Sequence, residues 1–402
     1  MSNNISSMIK RYVITTGYMG YGHLRAAHNL SMLSGAPVIK ADLFPYAAMI
    51  DLVLWRFAQY AQNISTHNAE SNWRVLFSLF EKALEIPDNS SPKSLAGPKL
   101  LKALSEFGLG KRLTTLISIE EAVVHTFYLP ALESVYHRIK ARNYLVMCDV
   151  DFHPVWVPIS PFASSLTYFV PTKKSADRLI SYGVPSGNIF ITGFPLPAWN
   201  VRESIEHFSA RKKRLSPNSG YSLTIMYPFS GAGAYQKYFS EFVKAISDEL
   251  KAGEFRLIVS AGSNQGAFSE ARRVIHRNGL DNCSSVHLLY NCDLFSAFSE
   301  FNAILPEVDL LITKPSELIF YSGLGIPLLM LSPIGAHEAK NRVYVLENKC
   351  GFDMVHLDKF VRCVREFKQS GMLLELAENG YERIPKNGSE SINDYVLSSV
   401  RI

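Results

Sequence analysis

The stretch Cys148-Asp149-Val150-Asp151-Phe152-His153-Pro154-Val155-Trp156 follows an apolar run, Asn143 to Met147, and sets an aspartate, a histidine and a tryptophan at spacings of four and three. Such a run reads as a buried strand, and in an α/β sheet ligands bind just beyond the carboxyl ends of strands. Asp149, His153 and Trp156 are therefore read as parts of a site.

A similar strand end lies near the amino terminus. Tyr12 to Thr16 is followed by Gly17-Tyr18-Met19-Gly20-Tyr21-Gly22-His23. The glycines permit a turn where backbone approaches a ligand, and a helix is expected to start at His23 and run to Ser34, its positive dipole end facing that space. A glycine-rich turn whose histidine merely caps a helix would carry the same letters. The partner motif at 149–156 favours the site reading, because two such strand ends in one sheet can face one cleft.

Strand-like runs alternate with helical patterns throughout, as in parallel sheets built from crossover units. In the first half they fall at 12–16, 38–40, 122–126, 144–148, 166–170 and 189–192; in the second at 223–227, 256–260, 286–289, 310–313 and 327–331. Two α/β domains are expected: residues 1–197, a linker at 198–220 that includes the basic stretch Arg211 to Gly220, and residues 221–402, with the last helix returning to the first domain. Residues 86–113 break the rhythm with three prolines and three glycines, and a long insertion of this kind is usually functional or mobile.

At 402 residues, 47% hydrophobic and 19% charged, the chain can bury two cores. Its net charge of +5, from 41 basic against 36 acidic residues without long runs, suits anionic ligands or lipid headgroups rather than duplex nucleic acid. Five cysteines without a CxxC pair, and a start without an apolar signal core, lead us to expect a reducing cytoplasm. No window has the character of a spanning helix: Phe44 to Ala61 comes nearest, but carries Asp51, Arg56 and Gln59.

Gly20-Tyr21-Gly22-His23, Asp149 with His153 and Trp156, Tyr168-Phe169-Val170-Pro171, Gly183-Val184 and Ile191-Thr192-Gly193-Phe194-Pro195 together resemble the monogalactosyldiacylglycerol synthases and processive diacylglycerol glucosyltransferases. The glycosyltransferase that makes lipid II is a more distant relative. The resemblance runs from about residue 12 to 355 and is most specific over 145–197. It implies the α/β GT-B fold, two Rossmann-like domains facing across a cleft, with acceptor bound by the first and nucleotide sugar by the second.

On the donor side the resemblance picks out Ser230, Gly231 and Gly233 in a glycine-rich loop after a strand, Gly262 and Asn264 at the next strand end, Lys314 with Ser316 and Glu317, and His337, Glu338 and Asn341 in a GxExxN-like element. Read from the residues alone, these fit tight turns, an Asn turn former and a helical surface pair equally well. Backbone N–H groups at a helix start can cradle a diphosphate, and a carboxylate, Glu317 or Glu338, can accept from ribose hydroxyls. The chain departs from the family pattern here: two glycines that usually follow Thr-Lys-Pro are absent, and Ser316-Glu317 come at once.

The implied reaction is inverting transfer of a hexose from a UDP-sugar to a lipid or lipid-like hydroxyl, without a cofactor or metal. His23 is favoured as base and Asp149 as its orienter or the second candidate, with Gly20, Gly22, His153 and Trp156 shaping the acceptor pocket. The aromatic and aliphatic stripe Phe44 to Phe80, with Lys93, Lys99, Lys102, Lys111 and Arg112, would meet the inner face of a membrane, although most such stripes are core. Two rival readings keep the fold: a sugar-nucleotide epimerase or hydrolase, which would consume UDP-sugar without acceptor, and a non-catalytic binder of nucleotide or lipid, which would bind UDP without turnover.

Overall fold

A computed structural model describes residues 12–56, 59, 96–229, 236–333, 336–353 and 357–400. Two parallel six-stranded sheets organise them. The first holds β1 (Val13–Thr16), β2 (Val38–Lys40), β3 (Ala122–His125), β4 (Arg142–Val146), β5 (Thr167–Val170) and β6 (Ile189–Ile191), in the order β2-β1-β3-β4-β5-β6. The second holds β7 (Leu223–Pro228), β8 (Phe255–Ser260), β9 (Val286–Leu289), β10 (Leu310–Thr313), β11 (Leu328–Met330) and β12 (Gly351–Asp353), in the order β12-β11-β10-β7-β8-β9.

Every residue of β1, β3 and β10 is buried, which is why these strands show no alternation of apolar and exposed polar residues. In each sheet the chain moves outward on one side of a starting strand and then returns to its other side. Beyond the carboxyl ends of the two strands flanking that reversal a crevice opens. In the first sheet these are β1 and β3, in the second β7 and β10.

The helix after β1 begins at Tyr21, two residues before the expected start at His23. Gly20 holds a φ of 98°, a left-handed value that a side chain disfavours, and this reverses the chain in time for Tyr21 to enter the helix. His23 therefore lies inside the first turn. β12 carried no signal in our reading, being three residues at a sheet edge.

The stretch expected as a linker is helical, with helices Ala198–Arg202 and Ser204–Leu215. Arg211, from the basic part of that stretch, is buried and donates to the carbonyls of Val308, Leu324 and Leu305 at 2.6–2.8 Å. Its charge serves the fold of the second half, not a partner.

The described part of the 86–113 region forms helices Ala96–Glu106 and Lys111–Ile117, whose Leu101, Leu113 and Ile117 join the first-domain core. Residues 86–95, including Lys93, lie outside the described residues. Of the Phe44–Phe80 stripe, Trp55 is buried against Gly17, where an added Cβ would come within 2.4 Å of its ring. Beyond residue 56 only Gln59 of that stripe is described.

The last helix, Gly388–Val400, packs on the first sheet. Ile392 and Val396 are buried with Ile14 and Val124, and the Tyr12 hydroxyl donates to Asn393 Oδ1 at 3.0 Å. The two halves also share one core cluster, in which Ala26, Cys148, Val150 and Phe194 pack with Met226, Ile258, Leu311 and Phe320.

Candidate functional site

The first crevice is lined by the segments after β1, β3 and β4. His23, in the first turn after β1, packs against Phe127, beyond β3, at 4.8 Å between ring centroids and against Trp156 at 5.6 Å. Trp156 lies in a short 3-10 turn, Pro154–Trp156, and touches Tyr128 as well, so an aromatic wall backs the histidine.

Burial lowers the pKa of His23, with Asp149 and Glu317 opposing and His337 reinforcing the shift. Its ring makes a backbone hydrogen bond at Thr126, whereas Nδ1 is buried without a hydrogen-bond partner among the described residues. A neutral imidazole donating from Nε2 leaves the Nδ1 lone pair available to take a proton. His153 is pushed down to about 4, again chiefly by burial, and its Nδ1 is also without a described partner.

Opposite lies the second crevice. Lys314, just past β10, forms an ion pair with the buried Glu338 of helix Ala336–Glu347. Burial works against the Lys314 ammonium, but Glu338 together with Glu317 and Asp149 more than offsets it, so its pKa is raised and it stays charged. His337 sits close enough to His23 and His153 for all three to interact electrostatically. Ser230, Gly231 and Gly233, in the loop after β7, lie outside the described residues.

Two donor-side candidates have local structural duties. Asn264 caps helix Gln265–Arg277, its Oδ1 accepting from the Ala267 N–H at 3.0 Å, so the turn-former reading describes that oxygen. Gly262 has a φ of 60° and faces Tyr21, whose ring would lie 3.2 Å from an added Cβ. The donor-side strand end is thus in contact with the first turn of the acceptor-side helix.

Where the family pattern has two glycines, this chain turns tightly: the Ser316 N–H turns back onto the Lys314 carbonyl at 2.7 Å, and Glu317–Leu324 forms a wholly buried 3-10 segment. Glu317 is carried against the first half: its Oε1 lies 3.4 Å from Arg25 Nε, and its Oε2 would lie 3.2 Å from a Cβ at Gly22. A side chain at position 22 would press on that carboxylate, which would have to shift by a few tenths of an ångström. Glu317 and Glu338 are both ion-paired, each to a different cation.

Asn341 closes the remaining gap. Its Nδ2 donates to Asp149 Oδ1 at 2.9 Å and to the Pro315 carbonyl at 3.1 Å, while its Oδ1 accepts from the Val150 N–H at 3.0 Å. The structure thus brings together His23, Asp149, His153, Trp156, Gly22, Lys314, Ser316, Glu317, His337, Glu338 and Asn341. Gly262 stands beside them at Tyr21. Our reading passed over Arg25, whose guanidinium lies 4.4 Å from the ring centroids of both Phe298 and Phe301. A charged residue within the apolar run Leu24 to Ala27 was the available signal.

The chain is similar to several known proteins. A family model described as a domain of unknown function, DUF6938, matches residues 266–396. The processive diacylglycerol beta-glucosyltransferase of Staphylococcus epidermidis is 26% identical over 359 residues, covering 86% of this chain and 81% of that protein. The protein of the same name from Staphylococcus carnosus is 23% identical over 382 residues, covering 92% and 88%. Among solved structures, S. aureus MnaA with UDP superposes at a TM-score of 0.50 with 12% identity, covering 97% of each chain, a likeness of fold.

Proposed function

We propose, taking as premise that the chain is a GT-B homologue of the processive diacylglycerol beta-glucosyltransferases, that this glycosyltransferase moves a hexose from a UDP-sugar to a lipid hydroxyl with inversion. The observation that carries the reading is the meeting of His23 and Asp149 with Lys314 and His337 where the two strand-end crevices face each other.

In this reaction the acceptor hydroxyl gives its proton to Nδ1 of His23, and its oxygen bonds to the anomeric carbon from the face opposite the diphosphate. The bond from that carbon to the diphosphate oxygen breaks, and its electron pair leaves on UDP. Lys314 would offset the charge growing there, a form of preorganised stabilisation, with His337 beside it as a polar contact. Asp149 supports the positive charge that develops on His23. The reading calls for no metal, with the Lys314 ammonium as the positive charge beside the leaving diphosphate, and transfer that persists in EDTA is the expected result.

The acceptor side would meet its lipid at the inner face of a membrane. Leu43, Phe44, Met49, Ile50 and Val53 are exposed, the Arg112 guanidinium lies 5.0 Å from the Phe44 ring, and Lys99 and Lys111 are exposed nearby in sequence. No helix among the described residues is long and apolar enough to cross a membrane. Sedimentation with anionic vesicles at low salt tests the attachment, and absence of binding removes it.

The deciding experiment offers mass-tagged UDP-sugars with a lipid extract containing diacylglycerol and follows glycolipid formation. Transfer to lipid with release of UDP is expected. Sugar nucleotide consumed equally well without lipid would establish the epimerase or hydrolase reading instead.

A further inference from the structure

Asn341 uses its whole amide within the protein. Both Nδ2 protons are donated, one to Asp149 and one to the Pro315 carbonyl, and the side-chain oxygen accepts from Val150, all at 2.9–3.1 Å in a fully buried position. The resemblance to donor-site signatures gave Asn341 to the nucleotide sugar. A donor group could claim those protons only by breaking a buried hydrogen bond, and an unmatched buried polar group is costly.

The contacts instead tie three elements: the strand end after β4, the loop after β10 and helix Ala336–Glu347. Only a side-chain amide serves all of them. A carboxylate at position 341 could accept from Val150 but could not donate to Asp149, and an aliphatic residue could do neither.

We propose that Asn341 is a positioning residue for the acceptor side: carried by the donor half, it fixes the strand end that presents Asp149 to His23. The inference rests on the reading of His23 and Asp149 as the base and its partner. Seating of the second half thereby completes the acid–base pair of the first, so proton transfer is armed only when the cleft is assembled.

Two variants separate the contacts. In Asn341→Ala all three are lost; in Asn341→Asp the acceptor for Val150 remains and the donors to Asp149 and the Pro315 carbonyl are gone. Hydrogen–deuterium exchange at the Val150 amide should accelerate about tenfold or more in Asn341→Ala and stay near native in Asn341→Asp. In both, kcat should fall about 10- to 100-fold while UDP affinity by calorimetry and KM for the sugar nucleotide stay within about threefold. In an Asp149→Asn background, Asn341→Ala should add little further loss, because its route of action is already cut.

Unchanged Val150 exchange in Asn341→Ala overturns the bridge. A weaker donor KM with kcat retained overturns the positioning role and returns Asn341 to the sugar nucleotide. Native protein is assayed first: absence of any transfer there removes the base reading and the positioning role with it, whereas normal native transfer with unaffected variants defeats this inference alone.

Discussion

Arg25 Nε lies 3.4 Å from Glu317 Oε1 across the domain boundary, both side chains are buried, and the guanidinium sits against the rings of Phe298 and Phe301. Two buried ions are tolerated because each is the other's partner and the aromatic faces favour the cation. The two halves are therefore joined by charge as well as by the core cluster they share.

Removing one partner should hurt more than removing both. Arg25→Ala leaves a buried carboxylate without its cation and should lower stability by about 3–5 kcal/mol. The double change Arg25→Met with Glu317→Gln removes both charges at similar volume and should cost clearly less. Urea unfolding midpoints decide: equal losses in the single and double variants would mean that the ion pair does not govern this interface.

His23→Ala should reduce kcat by about 10²- to 10⁴-fold, the usual contribution of a general base, with UDP affinity little changed. Turnover within twofold of native would falsify the role of His23.

The pH profile follows from the burial of that imidazole. A base whose pKa is lowered stays deprotonated further into acid, so the acid limb of kcat/KM should have its midpoint below the ordinary histidine value of 6.5. Asp149 acts in the opposite sense, raising the His23 pKa. Asp149→Asn should therefore move the acid limb further down as it slows the reaction; a shift upward would contradict the assignment.

Acid stability should be limited by buried histidines away from the chemistry. His125 is fully buried between Thr15 Oγ1 at 2.6 Å and Asn143 Oδ1 at 3.1 Å, and burial lowers its pKa to about 4. Unfolded, the ring takes up its proton near 6.5, so between those values the unfolded chain holds more protons. Stability from this group is complete above pH 6.5 and falls as pH drops toward 4, by on the order of 3 kcal/mol. Unfolding midpoints at pH 7 and pH 4.5 should differ in the native chain and differ less in His125→Gln; identical pH slopes for the two would count against it.

The strand ends at 16–23 and 147–156 were legible because burial on both faces leaves a continuous apolar run, and the first polar or glycine residue after it marks the sheet edge. Gly20, Gly22 and His23 could be singled out for that reason, whereas Lys314, Ser316 and Glu317 were picked out by the family resemblance. The stretch 198–220 was read as a boundary from its basic residues with Pro217 and Gly220, and its two helices had no signal of their own in that reading. Arg211 finds its carbonyl partners only once the second half is folded around it.

What the sequence determined by itself was the alternation of strands and helices, the two-sheet plan and the residues that stand at strand ends, since each follows from local periodicity and turn chemistry. What the tertiary structure decided was partnership: Glu317 to Arg25 rather than Lys314, and Asn341 to Asp149. These pairs lie hundreds of residues apart, and no local pattern encodes which buried charge or amide will face which when two sheets close on a common core. The absence of glycines after Lys314 could be noted against the family pattern, but the contact of the Glu317 carboxylate with the Gly22 turn exists only in the folded assembly of both halves.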